Sequence, residues 1–254
     1  MKIQYASDLH LELPQNREWL SAHPLPKAGD ILVLAGDTAY LDNLECAMEF
    51  LRQCSRDYRE VLLLPGNHEY YGGLYDLDAT LRSFELQILP NVRYLNNKSV
   101  VIDGTELFFT TLWTHLEPSE IAGVNNGMND CRRISYRDRR FRAEDFNPVN
   151  ARCLGWLAGA LDRSEAARKV VVTHHCPLDS AEAMDRAGRF AYPAYCEPLP
   201  LFIAKNRPDV WIHGHVHERI PDRTESGTRV LCNAFGYSDL CEQEGFNPGA
   251  VIEI

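Results

Sequence analysis

The chain has 254 residues, of which 45% are hydrophobic and 24% are charged, and its formal net charge is -10. This length allows one large domain or two small ones with an ample core, and the negative charge argues against broad binding to a nucleic acid polymer. No stretch is long and apolar enough to span a membrane, and residues 1–5 lack a secretory signal, so we expect a cytoplasmic protein without a membrane partner.

The composition is that of an ordinary globular protein. The chain contains no repeat, low-complexity tract or linker, and we therefore expect a single domain over residues 1–254. Its eight cysteines include no Cys-x-x-Cys pair. In a reducing compartment such cysteines are core thiols rather than disulfides, and we assign them no chemistry.

Alternating apolar and polar residues over Lys2–Ser7 predict a first strand. Asp8 and His10 follow it. Side chains separated by one residue point the same way in an extended segment, so these two can bind one ion together, although an Asp-x-His pair alone is common by chance. The proline-containing residues 11–27 predict a surface loop.

The apolar run Ile31–Ala35 predicts a strand buried on both faces, because no polar position is left to face water. Asp37 follows it at the rim of the sheet, where ligands bind in layered α/β folds. We take Asp37 as the centre of a metal site; taken alone, it could instead cap the next helix. A helix over Asp42–Tyr58 and a strand over Val61–Leu64 complete a parallel crossover, which predicts Asn67 at the same sheet edge.

The middle of the chain is predicted to change from a helix to short strands and then to a long loop. Helical spacing predicts a helix over Leu74–Leu89, and a long loop over Thr114–Asn129 is where we expect substrate selection. Between them, around an Asp-Gly hairpin turn, we predict the short strands Val92–Leu95, Val100–Ile102 and Glu106–Trp113.

An arginine-rich stretch follows the loop. Guanidinium groups bind phosphate well, yet such charge runs are usually solvated faces with ion pairs. Arg132 and Arg133 lie nearest the loop in sequence, and we take these two as candidate substrate-binding residues.

The last third of the chain again places histidines at predicted strand ends. Asn147-Pro148 predicts a helix start, the strand Lys169–Thr173 runs into His174-His175, and the strand Asp209–Ile212 runs into a His-rich segment. Further elements are predicted at Leu201–Lys205 (helix), Val230–Cys232 and Ala250–Ile254 (strands).

Oxygen and nitrogen donors suited to divalent metals therefore recur at strand ends. They fall in the segments Asp8-Leu9-His10, Gly36-Asp37, Gly66-Asn67-His68-Glu69, Val172-Thr173-His174-His175 and Gly214-His215-Val216-His217. With these motifs in this order, the chain resembles the calcineurin-like metallophosphoesterase superfamily over most of its length.

The resemblance implies an α/β fold, a four-layer α/β/β/α sandwich with two mixed β-sheets and the metal site at the strand ends. It implies two divalent metal ions, one held by Asp8, His10, Asp37 and His217 and the other by Asp37, Asn67, His174 and His215. We expect manganese, with iron or zinc as alternatives, because these ligand types suit all three metals.

The resemblance also leaves His68 uncoordinated and facing the leaving group, so we expect it to act as general acid; the alternative is a structural hydrogen bond at a turn. His175, beside a ligand, is a further candidate substrate-binding residue. The segment after Asp37 lacks the Asp-Arg-Gly continuation of the Ser/Thr protein phosphatases, which argues against a phosphoprotein substrate.

The leading hypothesis is a dinuclear hydrolase in which a metal-bridging hydroxide attacks a small phosphate ester, a diester ahead of a monoester. A non-catalytic metal-binding scaffold of the same fold is the second reading, although no expected ligand is missing. A metal-dependent amidohydrolase also uses His-x-His, but on an early strand, whereas here the pair lies near the C-terminus.

Overall fold

The computed structural model describes residues 1–217 and 219–254, and for residues 182, 186 and 219–223 it describes the backbone alone. In chain order the strands are β1 (Lys2–Ala6), β2 (Ile31–Leu34), β3 (Glu60–Leu63), β4 (Phe84–Leu89), β5 (Val92–Asn96), β6 (Lys98–Ile102), β7 (Thr105–Thr110), β8 (Ser135–Tyr136), β9 (Arg139–Arg140), β10 (Arg168–Thr173), β11 (Val210–His213), β12 (Arg219–Glu225), β13 (Thr228–Asn233) and β14 (Val251–Glu253).

The α-helices are α1 (Pro14–Ala22), α2 (Met48–Asp57), α3 (Leu77–Thr80), α4 (Ile121–Gly127), α5 (Asp130–Arg133), α6 (Ala143–Arg163), α7 (Ala181–Ala187) and α8 (Pro200–Asn206). Short 3₁₀ helices occupy Leu41–Ala47, His68–Tyr70, Tyr192–Ala194 and Ser238–Leu240. Among the described residues, no helix is long and apolar enough to cross a membrane.

Over the described residues, two six-stranded sheets carry the fold. Sheet I has the order β14-β1-β2-β3-β5-β4 and sheet II the order β12-β13-β11-β10-β7-β6. In both sheets the four inner strands are parallel and the two edge strands run antiparallel to their neighbours. The sheets are therefore mixed, as predicted.

Alternation along the buried strands divides the core into layers. In β2, Ile31 and Val33 pack between the two sheets, whereas Leu32 and Leu34 face the helices that cover sheet I. Val171 and Trp211 of sheet II point the other way, toward α6 and α8. Because each central strand buries both faces, the result is the predicted α/β/β/α sandwich.

The topology brings the two sheets together at one rim. Strands β2 and β3 are parallel and joined through α2, which confirms the predicted crossover and places Asp37 and Asn67 at one edge of sheet I. Ser7, directly after β1, forms a parallel bridge with Ala234, directly after β13. The carboxyl ends of strands from both sheets therefore meet around one set of loops.

The predicted helix over Leu74–Leu89 is wrong. Only the short helix α3 forms there, and residues 84–89 are the edge strand β4. Phe84, Leu86 and Ile88 alternate with exposed residues and pack on the core, so the apolar positions that fit a helix also fit a strand of period two. Pairing with β5 decides between these two possibilities.

Helix α6 begins at Ala143, not at the predicted Asn147. The backbone N–H of Arg142 donates to the Asp145 carboxylate at 2.9 Å, a capping interaction that starts the helix four residues earlier. Pro148 therefore lies inside the helix, and Asn147 instead bonds the backbone of Leu116 at 2.7 and 2.9 Å.

Other boundaries also differ. The loops predicted for residues 11–27 and 114–129 contain helices α1 and α4, and the helix predicted over Asp42–Tyr58 begins as a 3₁₀ helix. Strand β7 ends at Thr110, before the predicted Trp113, because Leu112 and Trp113 have positive φ angles of 75° and 56°.

Candidate metal centre

The backbone at the rim is left-handed at several predicted ligands. The φ angles are 56° at Asp8, 47° at His10, 54° at Asp37, 68° at His215 and 50° at His217. A left-handed φ angle is energetically unfavourable for residues other than glycine, and residues strained in this way concentrate at functional sites. The pairs Asp8/His10 and His215/His217 therefore lie in turns and not in the extended segments that the sequence predicts for Asp8 and His10.

Asp8, His10 and His217 form the first donor group, with one donor atom of each within 4.8 Å of the others. His217 Nε2 lies 3.4 Å from Asp8 Oδ1 and 3.2 Å from His10 Nε2. The other ring nitrogen of each histidine contacts a carboxylate, Glu12 at 3.1 Å from His10 and Glu242 at 2.6 Å from His217. The Nε2 atoms are therefore turned toward Asp8 and toward each other.

Asp37, His174 and His215 form the second donor group by the same distance criterion. His174 Nδ1 donates to the Ala35 carbonyl at 2.9 Å, which turns its Nε2 toward the second group. That Nε2 lies 3.3 Å from Asp37 Oδ2 and 3.1 Å from Asn67 Oδ1, so one ring nitrogen and two side-chain oxygens converge on one point.

Asp37 joins the two groups. Its Oδ1 accepts the backbone N–H of His68 at 2.9 Å, which leaves Oδ2 between His174 Nε2 at 3.3 Å and His10 Nε2 at 3.9 Å. One carboxylate oxygen thus faces a histidine of each group. This is the arrangement that a bridging ligand of two cations requires.

The surrounding polar atoms fit divalent cations. In the described part of the chain, the buried Nε2 of His215 has no hydrogen-bond partner. Burial alone lowers the pKa of His217, but Asp8 and Glu242 raise it to about 9; likewise Asp37 overcomes burial and raises the pKa of His174 to about 10. The carboxylates therefore attract positive charge into the space between these side chains.

Two glycines keep that space open. A Cβ atom at Gly66 would lie 2.2 Å from Asp37 Oδ1 and 2.7 Å from His174 Nε2, and one at Gly36 would lie 2.2 Å from His174 Nδ1. No real side chain tolerates such contacts. The Gly-Asp and Gly-Asn motifs thus need glycine so that strand ends and imidazole can approach closely.

Glu69, the last residue of the Gly-Asn-His-Glu motif, ties the two loops together. Its fully buried carboxylate accepts the backbone N–H groups of Asp37, Thr38 and Gly66 at 2.9, 2.8 and 2.7 Å. Burial and the nearby Asp37 raise its pKa to about 8. Glu69 fixes the loops that present Asp37 and Asn67.

His68 borders the donor groups and reaches a cavity of about 130 Å³. Its Nδ1 contacts Glu12 Oε1 at 2.9 Å, and its Nε2 lies 3.3 Å from the Tyr237 hydroxyl. The cavity is lined by Asp37, Asn67, His68, Tyr71, Gly127, Met128, Asn129, Tyr195, His215, His217 and Tyr237. The donor groups and His68 therefore open onto one space.

The three candidate substrate-binding residues occupy different positions. The Arg133 guanidinium lies over the rings of Tyr71 and Tyr40, 4.9 and 5.2 Å from their centres, beside the cavity. Arg132 is not among the lining residues and bonds the Asn126 carbonyl and the Asn129 side chain. His175 is fully buried, outside the cavity lining, and burial together with His174 lowers its pKa to about 3.

Sequence reasoning missed the residues that orient the candidate ligands. Glu12 continues the alternation of Asp8 and His10 by one more step, and this spacing could have indicated it. Asp130 accepts from the Asn67 amide at 2.8 Å, which turns Asn67 Oδ1 toward His174. Asp130 and Glu242 stand in segments without a motif, so only the fold reveals them.

Comparison with known proteins agrees with this geometry. The family model "calcineurin-like phosphoesterase" matches residues 1–219. An uncharacterized protein from Acanthamoeba polyphaga mimivirus is 27% identical over 279 aligned positions, covering 99% of this chain and 96% of that protein. A UPF0046 protein from Caenorhabditis elegans is 28% identical over 200 positions, which cover 75% of this chain and 57% of that longer protein.

Solved structures share the fold. The crystal structure of phosphopantetheinyl hydrolase from Mycobacterium tuberculosis superimposes with a TM-score of 0.70 at 16% identity, over 100% of this chain and 95% of that one. At this identity the likeness concerns the fold alone. The family match, over most of the chain, identifies the protein more narrowly: it belongs to the calcineurin-like phosphoesterases and is a metal-dependent phosphoric ester hydrolase.

Proposed function

We propose that this phosphoesterase hydrolyses a small organic phosphodiester at a dinuclear metal centre built within a single domain over residues 1–254. The observation that carries the proposal is the position of Asp37 Oδ2, 3.3 Å from His174 Nε2 and 3.9 Å from His10 Nε2. Asp8 and His217 complete the first site. Asn67 and His215 complete the second.

Bound divalent cations supply Lewis-acid stabilisation of the phosphate and activate a water for attack. The protein positions the ester and supplies the proton. A water oxygen bonds to phosphorus and releases a proton to solvent, the bond to the leaving-group oxygen breaks, and His68 Nε2 gives that oxygen a proton, which His68 later regains from solvent. Its place beside the cavity and the Tyr237 hydroxyl supports this role over a purely structural one.

The cavity favours a diester over a monoester. Among the described residues, no lysine or arginine lines it, so no ammonium or guanidinium group borders the reacting phosphate to balance the second negative charge of a monoester. Tyr71, Tyr195 and Tyr237 line it instead, and their rings suit an organic substituent on the ester. Arg133, beside Tyr71, stands where a further anionic group of the substrate would lie.

The test is hydrolysis by metal-stripped protein resupplied with Mn²⁺. We expect a larger kcat/KM for bis(4-nitrophenyl) phosphate than for 4-nitrophenyl phosphate, and no turnover before the metal is added. Parallel loading with Fe²⁺ and Zn²⁺ tests the proposed preference for manganese. Because the mycobacterial structural neighbour is named a phosphopantetheinyl hydrolase, a phosphopantetheinyl ester belongs in the subsequent panel of natural substrates.

The variant His68→Ala tests the general acid in the same assay. We expect it to retain metal binding and to lose about 10²-fold or more in kcat on esters with a basic leaving group.

In the comparison of the two nitrophenyl esters, a faster reaction of the monoester would reassign the enzyme as a phosphomonoesterase. No turnover of any ester under several metals would favour the scaffold.

A further inference from the structure

Glu12 is a buried carboxylate that contacts both a candidate metal ligand and the candidate general acid. Its side chain is 4% exposed, and its Oε1 lies 3.1 Å from His10 Nδ1 and 2.9 Å from His68 Nδ1. Its second oxygen, Oε2, is buried with no hydrogen-bond partner among the described residues. In the described part of the chain, the side-chain hydrogen bonds of Glu12 therefore run from one oxygen to two imidazoles.

This contact determines which nitrogen of His68 can serve the substrate. An ionised carboxylate only accepts hydrogen bonds, so the nitrogen facing Glu12 carries a hydrogen. That nitrogen is Nδ1, and Nε2 is consequently turned toward the cavity and the Tyr237 hydroxyl. Rotation of the ring by half a turn would put Cδ2 in place of Nδ1 at Glu12 and Cε1 in place of Nε2 at the cavity.

The ring of His68 has few other polar restraints. Its ring also contacts the rings of His10, Tyr71 and Tyr40, at 4.4, 4.2 and 6.3 Å between ring centres, and ring contacts do not distinguish one ring nitrogen from the other. Its side chain is 15% exposed at the cavity. Glu12 and Tyr237 are thus the groups that select an orientation, and only Glu12 is an obligate acceptor.

We propose that Glu12 is a positioning residue for proton donation: it holds His68 with Nε2 directed at the leaving-group oxygen. The inference rests on the proposed function, since it presumes that His68 protonates the leaving group as the phosphorus–oxygen bond breaks. Glu12 itself neither gains nor loses a proton in this step.

The structure supplies a matched control. Glu242 contacts Nδ1 of His217 at 2.6 Å, just as Glu12 contacts Nδ1 of His10. Removal of either carboxylate frees an imidazole of the first donor group and is expected to weaken metal binding. Glu242 also accepts the backbone N–H of Tyr237 at 2.9 Å, but of these two carboxylates it is Glu12 that bonds a ring nitrogen of His68.

The experiment compares Glu12→Ala with Glu242→Ala at saturating Mn²⁺. The substrates are paired esters that differ in one leaving group, methyl 4-nitrophenyl phosphate and methyl phenyl phosphate, or the corresponding monoesters if the wild type prefers them. Because phenolate is the more basic leaving group, it depends more on protonation. We expect Glu12→Ala to raise the ratio of kcat/KM for nitrophenyl over phenyl by about 10-fold, and Glu242→Ala to leave this ratio unchanged.

A second readout is independent of turnover. Imidazole ¹⁵N chemical shifts of the metal-free protein, recorded at a pH high enough for a neutral His68 ring, report which nitrogen keeps the hydrogen. In the charged form that donates a proton both nitrogens carry hydrogen, so only the neutral ring distinguishes them. We expect the Nδ1–H form of His68 in the wild type and in Glu242→Ala, and a mixture of the two forms in Glu12→Ala. Should Glu12→Ala fail to fold, Glu12→Gln keeps the size and removes the charge, and we expect it to raise the rate ratio to an intermediate value.

The double variant Glu12→Ala/His68→Ala completes the test, and its ratio should equal that of His68→Ala. Equal ratios in wild type, Glu12→Ala and Glu242→Ala, with an unchanged His68 spectrum, would overturn the positioning role while leaving the phosphoesterase intact. Failure of the proposed function looks different, because the wild type itself would then cleave neither ester.

Discussion

The Nε2 atoms of His10 and His217 lie 3.2 Å apart, nitrogen facing nitrogen. Each ring contacts a carboxylate through Nδ1, His10 with Glu12 and His217 with Glu242. Asp8 and Glu242 overcome burial and raise the pKa of His217 to about 9, so the space between the two nitrogens attracts positive charge. A cation held by both nitrogens and by Asp8 would supply that charge and would be absent from the unfolded chain, so it would stabilise the fold.

Metal binding is therefore expected to stabilise the fold. At a free Mn²⁺ concentration of about 100 times Kd, the gain in unfolding free energy is about 2.7 kcal/mol, or about 5–10 °C in Tm for a chain of this size. His217→Ala, measured by calorimetry beside wild type, should lose a large part of this rise. His115→Ala serves as control because His115 has a 54% exposed side chain outside the cavity lining. The same rise in His217→Ala as in wild type would remove His217 from the site.

A single methyl group at Gly66 should disrupt the centre. The new Cβ would meet Asp37 Oδ1 at 2.2 Å and His174 Nε2 at 2.7 Å, so we expect Gly66→Ala to lose metal content and at least about 10²-fold in kcat/KM. The control is Gly155→Ala in α6, where nothing lies within 4 Å of the added methyl group. That variant should keep full activity and gain about 0.5–1 kcal/mol in unfolding free energy. Full metal content in Gly66→Ala would contradict the close approach.

Glu69 should contribute more to stability than a surface carboxylate does. Its removal leaves the buried N–H groups of Asp37, Thr38 and Gly66 without their acceptor. At about 1–3 kcal/mol for each unpaired group, urea denaturation of metal-free Glu69→Ala should show a loss of at least about 3 kcal/mol, and Glu69→Gln, which keeps one acceptor oxygen, a smaller loss. A loss below about 1 kcal/mol in Glu69→Ala would show that water replaces the carboxylate.

Arg133 and Arg132 are neighbours with different expected effects on substrate binding. Arg133 lies over Tyr71 at the cavity, whereas Arg132 bonds Asn126 and Asn129. For a substrate with a second anionic group, we expect Arg133→Ala to raise KM about 10-fold with little change in kcat, and Arg132→Ala to change neither constant more than about twofold. Equal effects of the two substitutions would argue for a general charge effect.

The sequence was most informative where strands are buried on both faces. The apolar runs of β2, β3, β10 and β11 could only be central parallel strands, and the residues after them had to gather at one sheet edge. That rule predicted Asp37 and Asn67 at one sheet edge, whereas the four-layer sandwich was implied by the resemblance to the calcineurin-like superfamily.

Prediction was weakest where local pattern and tertiary pairing compete. The apolar spacing of residues 77–88 fits a helix and a strand alike, and only the neighbour β5 decides for the strand. The start of α6 depends on the interaction of Arg142 with Asp145, which overrides the strong Asn-Pro start motif. Carboxylates that orient the candidate ligands, such as Glu242, lie in segments without a recognisable sequence pattern, and only the folded chain brings them to the site.

The most direct test of the central claim is a titration of metal-stripped protein with Mn²⁺, in which hydrolysis of bis(4-nitrophenyl) phosphate is followed together with bound metal. We predict that hydrolysis rises from zero and saturates at two ions per chain, and that Asp37→Ala binds fewer ions and stays inactive. Saturation at one ion, or undiminished hydrolysis by Asp37→Ala, would contradict a dinuclear centre bridged by Asp37.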